Sequence, residues 1–179
     1  MIPHMKFDTP REEIHAGGYV MQIVDARTDA EYGGRLILDL DVAEGPKAGY
    51  YQRLQDRAGF WGMTLTVYFD EGRRWRLAKL VEAVRQSNQG FAWNEDGEND
   101  EKDLISKYVG VVTRLREYWG NDGKKKNKLT PYSTISVDEI RAGQYTVPEP
   151  SLVDDIQQAS AGVVDTTAGF EVGYDEPPF

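Results

Sequence analysis

Arg35-Leu36-Ile37-Leu38-Asp39-Leu40-Asp41-Val42 alternates without a break. Leu36, Leu38, Leu40 and Val42 fall on one side of an extended chain, and Ile37, Asp39 and Asp41 on the other. One apolar and one mostly polar face is the pattern of a half-buried strand. Upstream, Tyr19–Thr28 reads as a second strand, joined through the turn residues Tyr32-Gly33-Gly34. Downstream, Gly45-Pro46 and Gly49 break the chain. Tyr50–Leu54 and Met63–Phe69 then read as one bent strand interrupted by a loop at Asp56–Gly62. Trp75–Asn88 is the clearest helix, with Leu77, Leu80, Val81 and Val84 at i, i+3, i+4 and i+7 and Gly90 as stop signal. Tyr108–Trp119 and Lys125–Ile135 form a hairpin around Gly120-Asn121-Asp122-Gly123. Short helices are expected at both ends of this body. One follows the Thr9-Pro10-Arg11-Glu12 capping box and runs to His15; the other follows Ser136-Val137-Asp138-Glu139 and ends near Gly143.

Strand, strand, strand, helix, strand, strand is the order of a five-stranded OB barrel with its helix between strands three and four. The expected fold is therefore mainly β, a barrel over residues 1–150. Residues 151–179 contain six acids and no Lys or Arg, and no sustained apolar period. This segment is expected to be a flexible acidic tail, with at most a short helix over Leu152–Ala159 capped by Ser151.

Across 179 residues the formal charge is −9, which at first sight disfavours nucleic acid. The distribution reverses that impression. The tail accounts for −6, residues 1–46 for −5 and the loop 94–104 for −5, whereas residues 47–93 carry +4 and residues 105–135 carry +5. A local basic patch is what meets phosphate. There is no Cys, so neither disulfides nor thiolate chemistry arise. No apolar run reaches the ~18 residues of a membrane span, and the N-terminus lacks a signal-peptide core. These features lead to the expectation of a cytoplasmic protein.

Binding single strands without sequence preference requires a cationic path and aromatic faces. The hairpin supplies both. Arg114, Arg116 and Tyr118 project from one strand face, opposite to Val109, Val111, Thr113 and Leu115. Lys124, Lys125, Lys126, Lys128 and Tyr132 follow the turn. Tyr51 and Arg53 are further candidates beside Lys47 and Arg57, with one of the Tyr50/Tyr51 pair facing outward on a strand. Trp61 stands in the Gly-flanked Gly59-Phe60-Trp61-Gly62 loop, where it either stacks on a base or closes the barrel mouth. Arg73, Arg74 and Arg76 open the main helix, where cations oppose the macrodipole and so point to an anionic partner. Trp75, Trp93 and Trp119 read as packing residues.

The chain ends in Tyr174-Asp175-Glu176-Pro177-Pro178-Phe179. A terminal Phe after an acidic pair offers a ring, a carboxylate and charge to one partner, a form of C-terminal capture. A body, an acidic linker and an acidic tip ending in Pro-Phe resemble bacterial and phage single-stranded-DNA-binding proteins. The family's common tip has a longer acid run and Ile before Pro-Phe, where this chain has Pro177. Leu36–Tyr51 and Gly110–Val147 resemble a phage replication-module family of uncharacterised OB-like proteins. The resemblance implies coating of single-stranded DNA in replication or recombination, with Asp175, Glu176, Pro177, Pro178 and Phe179 recruiting partner enzymes. The alternative is an adaptor that binds those proteins and no DNA. The outward Ile37 and the paired tyrosines permit a homodimer without requiring one.

No enzyme is expected, and neither a cofactor nor a metal. Asp39 and Asp41 share a strand face but lack a third ligand at readable spacing. The acids of 94–104 do not fit a calcium loop. His4 and His15 sit in no metal or triad motif, and there is no phosphate-binding or dinucleotide glycine motif.

Overall fold

The alternation over 35–42 places its leucines as anticipated: Leu36, Leu38, Leu40 and Val42 are buried on one side of the strand. In the computed structural model, which describes residues 11–153, this strand is the second of five. The strands are β1 (Gly18–Asp29), β2 (Arg35–Val42), β3 (Thr64–Tyr68), β4 (Tyr108–Trp119) and β5 (Lys125–Ile135), and the helices are α1 (Tyr50–Ala58), α2 (Arg74–Ser87) and α3 (Val137–Arg141). All five strands join one sheet in the order β3-β2-β1-β4-β5, and every pairing is antiparallel. β3 and β5 are its edges, and no hydrogen-bonded ladder joins them among the described residues.

β1 is long because it serves two neighbours. Its first residues pair with β4, from Gly18 opposite Val112 to Gln22 opposite Tyr108, while Met21–Asp29 pair with β2. The β2 register shifts between Ile23 and Asp25, leaving Val24 as an exposed bulge residue. Such a bulge bends the strand and increases its twist. Met21, Ile23, Leu38, Leu40, Met63, Leu80, Val84, Val109 and Val111 make the centre of the core. α2 contributes Leu80, Ala83 and Val84 to it and also buries Val81, so the period over 77–84 was a true amphipathic signal.

The structure corrects the first half of the expected bent strand, Tyr50–Leu54, while the second half forms β3. Residues 50–58 are helical. Gly49, at φ 73°, occupies the N-cap position and has no side chain to cap with. The cap comes from β2 instead. Asp41 Oδ1 accepts from the Tyr51 and Val42 amides, each at 2.8 Å, and Oδ2 accepts from the Gln52 amide at 3.3 Å. A carboxylate on the first amides of a helix satisfies orphan donors and meets the positive end of the dipole.

The N-terminal expectation is corrected as well. Residues 11–15 are irregular, while Thr9 and Pro10 lie outside the described residues. Glu12 there binds Arg53 of α1 at 2.8 Å, and the Arg53 hydrogen bond holds its carboxyl below the usual carboxylate range. The box at Ser136 forms as read. Ser136 Oγ accepts from the Glu139 amide, and the Glu139 carboxylate accepts from the Ser136 amide. α3 packs so closely on β4 that a Cβ at Gly110 would lie 2.6 Å from the Ser136 carbonyl oxygen. Among the described residues no helix is long and apolar enough to cross a membrane.

Candidate nucleic-acid interface

Beyond Val112 the strand β4 runs past the start of β1, and with β5 it forms a two-stranded arm. Residues directly opposite in an antiparallel ladder share a face. In the arm Arg114 faces Thr130, Arg116 faces Lys128, and Tyr118 faces Lys126. Four of the cations expected to bind DNA therefore lie on one surface with Tyr118. Tyr132 joins them through a register shift. Val112 pairs with Ser133 and Thr113 with Pro131, which leaves Tyr132 as the extra residue of a bulge. Bulges re-aim side chains, and this one brings Tyr132, 40% exposed, beneath the Arg114 guanidinium at 5.0 Å from ring centre. Lys128 Nζ stands 5.3 Å from the Tyr118 ring centre. The face thus alternates cations and rings, in the combination that single strands require.

Arg116 and Lys128 are like charges in directly opposed positions, which is unfavourable in a sheet. Partial desolvation, then the Arg116 guanidinium, lowers the Lys128 pKa from its ordinary value, although the side chain keeps solvent contact. A phosphate at this pair would offset the repulsion and raise that pKa again. Anion binding at this pair would therefore take up protons on the alkaline side. Affinity for a single strand is expected to be full below the free-state pKa of Lys128 and to fall as pH rises through it. Titrations at stepped alkaline pH check this, and Lys128→Arg, which stays charged, should flatten the profile.

The remaining lysines of the turn divide. Lys126 also pairs with Asp122 at 3.2 Å. Lys124 is exposed at the tip. Lys125 belongs to the opposite face, with Nζ 5.3 Å from the Trp119 ring centre and 3.5 Å from Glu117. On that side the chain after α3 returns. Ser151 bridges to β4, with the Glu117 amide donating to the Ser151 carbonyl at 2.8 Å and the Ser151 amide to the Leu115 carbonyl at 2.9 Å. The Val153 amide donates to the Glu117 carboxylate, and Lys125 donates to the Val153 carbonyl. Lys125 is thus engaged in holding this strap.

Several candidates sit elsewhere. Tyr51 was expected on a strand with one of the two tyrosines outward. In the helix it is 2% exposed and belongs to the core, and Tyr50, half-buried, meets it edge to face at 5.0 Å. Burial pushes the Tyr51 phenol up. Arg53 binds Glu12 and the Ala48 carbonyl. Trp61 packs against the core and donates its indole N–H to the Met63 carbonyl at 2.9 Å. In the same loop Phe60, which the sequence reading passed over, is the exposed ring, at 57%. Glycines on both sides of the aromatic pair marked that loop; they did not tell which ring faces out.

Arg73 pairs with Asp70 at 2.6 Å and lies 3.8 Å from the Tyr68 ring centre. Arg74 is exposed, and Arg76 lies 5.2 Å from the Trp75 ring centre. Asp39 accepts from Thr64 and from Arg27, each at 2.7 Å, so both acids of the β2 polar face have protein partners. No group of three or more His, Asp or Glu among the described residues could hold a metal ion. Asp175, Glu176, Pro177, Pro178 and Phe179 lie outside the described residues, as does the segment of the expected short tail helix from residue 154 onward.

No family model matches the chain. No curated protein matches it either.

Proposed function

We propose that the protein binds single-stranded DNA without strong sequence preference, with the outer face of the arm as the contact surface. The observation that carries this reading is the cluster of Arg114, Arg116, Lys126 and Lys128 interleaved with Tyr118 and Tyr132 on one face. Its guanidinium and ammonium groups suit phosphate contacts, and its rings offer stacking surfaces. The sheet lends support from its topology. With all neighbours antiparallel, the edges β3 and β5 point the same way, and they approach one another in space. Closing that pair would give a five-stranded OB barrel with α2 between the third and fourth strands. In this reading the protein coats single strands during phage or prophage replication or recombination. The tip Asp175–Phe179 recruits partner enzymes.

Fluorescence anisotropy of labelled poly-dT, titrated with the full chain at two salt concentrations beside an equal-length duplex, tests the proposal. Tight binding of the single strand alone, weakening with salt, is the expected result. No binding at low salt would sink it and move the weight to an adaptor that acts through its tip.

A further inference from the structure

Away from the arm, the loop between α2 and β4 borders a half-open cavity of about 210 Å³ against the sheet and α2. Leu36 and Leu77 contribute its aliphatic lining, Phe69 and Trp93 its aromatic lining, and Asn99 and Glu101 its polar edge. Clefts for whole cofactors or drug-sized ligands run to ~300–1,000 Å³, so this one suits a single side chain. Its edge is braced. The Asn94 amide donates to Asn99 Oδ1 and Asn99 Nδ2 donates back to the Asn94 carbonyl, each at 2.8 Å, while Arg85 ties Glu95 to α2 at 3.0 Å.

The charge around it selects the occupant. Residues 94–104 hold six acids and one lysine. Phosphates are repelled there, and so is the chain's own tip, where Asp175, Glu176 and a carboxylate flank Phe179. An apolar or aromatic side chain flanked by lysines or arginines is complementary in both respects. We infer that this cavity is a docking site for a basic segment of a partner protein, which inserts one apolar or aromatic side chain beside Trp93. The site is distinct from the arm and does not depend on DNA binding.

The test uses the full chain and two labelled pentapeptides, four lysines around a central phenylalanine or a central alanine, followed by anisotropy. The phenylalanine peptide should bind at least about tenfold tighter. Leu77→Trp, which fills the cavity, should abolish that preference, and Glu101→Lys should weaken both peptides. Phe69→Trp fills the cavity from another wall and serves if Leu77→Trp does not fold by circular dichroism. Poly-dT titrations of these variants should match the parent. Equal affinity for the two peptides, or a preference that survives both filling substitutions, would overturn the inference.

Discussion

Glutamate at positions 114, 116, 126 and 128 together abolishes measurable binding of poly-dT; this is the largest functional effect expected of the molecule. The four side chains lie on one face of the arm, so in the proposed reading one strand would meet all of them. Each phosphate contact to a single strand contributes ~0.7 to the slope of log affinity against log salt. Losing four lowers the slope by about 3 and affinity by at least ~100-fold. Tyr118→Ala and Tyr132→Ala should each cost ~1–3 kcal/mol in binding while leaving the salt slope unchanged, because stacking is not ionic. The arm face is solvent-exposed or half-buried, so the melting temperature should move little. A salt slope unaltered by the fourfold reversal would place the phosphate path elsewhere on the protein.

The largest stability effect is expected at Asp41. Its carboxylate serves three amides at the junction of β2 and α1 and is 8% exposed. Asp41→Ala leaves those donors without their acceptor, at a cost of ~2–4 kcal/mol. For a chain of this size that is a fall of roughly 5–15 °C in melting temperature. Asp41→Asn keeps an Oδ1 for the Tyr51 and Val42 amides and loses only the charge and one weaker bond, so it should cost about 1 kcal/mol. Thermal denaturation of the two variants reads the difference directly. Equal, small losses would show that α1 is held by packing of Tyr51 rather than by its cap.

The same residue explains where sequence reading stopped. β2, α2 and the β4–β5 hairpin were legible because their signals are local: alternation, a 3.6-residue period, and turn residues between two strands. α1 was not. Tyr50 and Tyr51 favour strands, Gly49 supplies no cap, and the capping carboxylate stands ten positions upstream on another element. Read as a strand, one tyrosine had to face out; in a helix docked on β2 both turn toward the core. Asp41, weighed as a metal ligand, is a helix cap. The arm face was legible by period two for Arg114, Arg116 and Tyr118. The placement of Tyr132 depends on a bulge, and that of Lys125 on the strap at Ser151, neither of which leaves a local trace.

The arm also sets how this surface fluctuates. Past Val112 it loses its β1 neighbour; beyond the base of the arm, where Leu129 packs on the core, its two strands hold each other, with the strap at Ser151 as a third, single-bridge contact. Backbone bonds with few buried neighbours open in sub-global steps rather than with the whole domain. The outer part of the arm is thus expected to open as its own cooperative unit while the sheet beneath it stays intact. A bound strand would then deepen protection of arm amides against solvent exchange far more than it raises the free energy of complete unfolding.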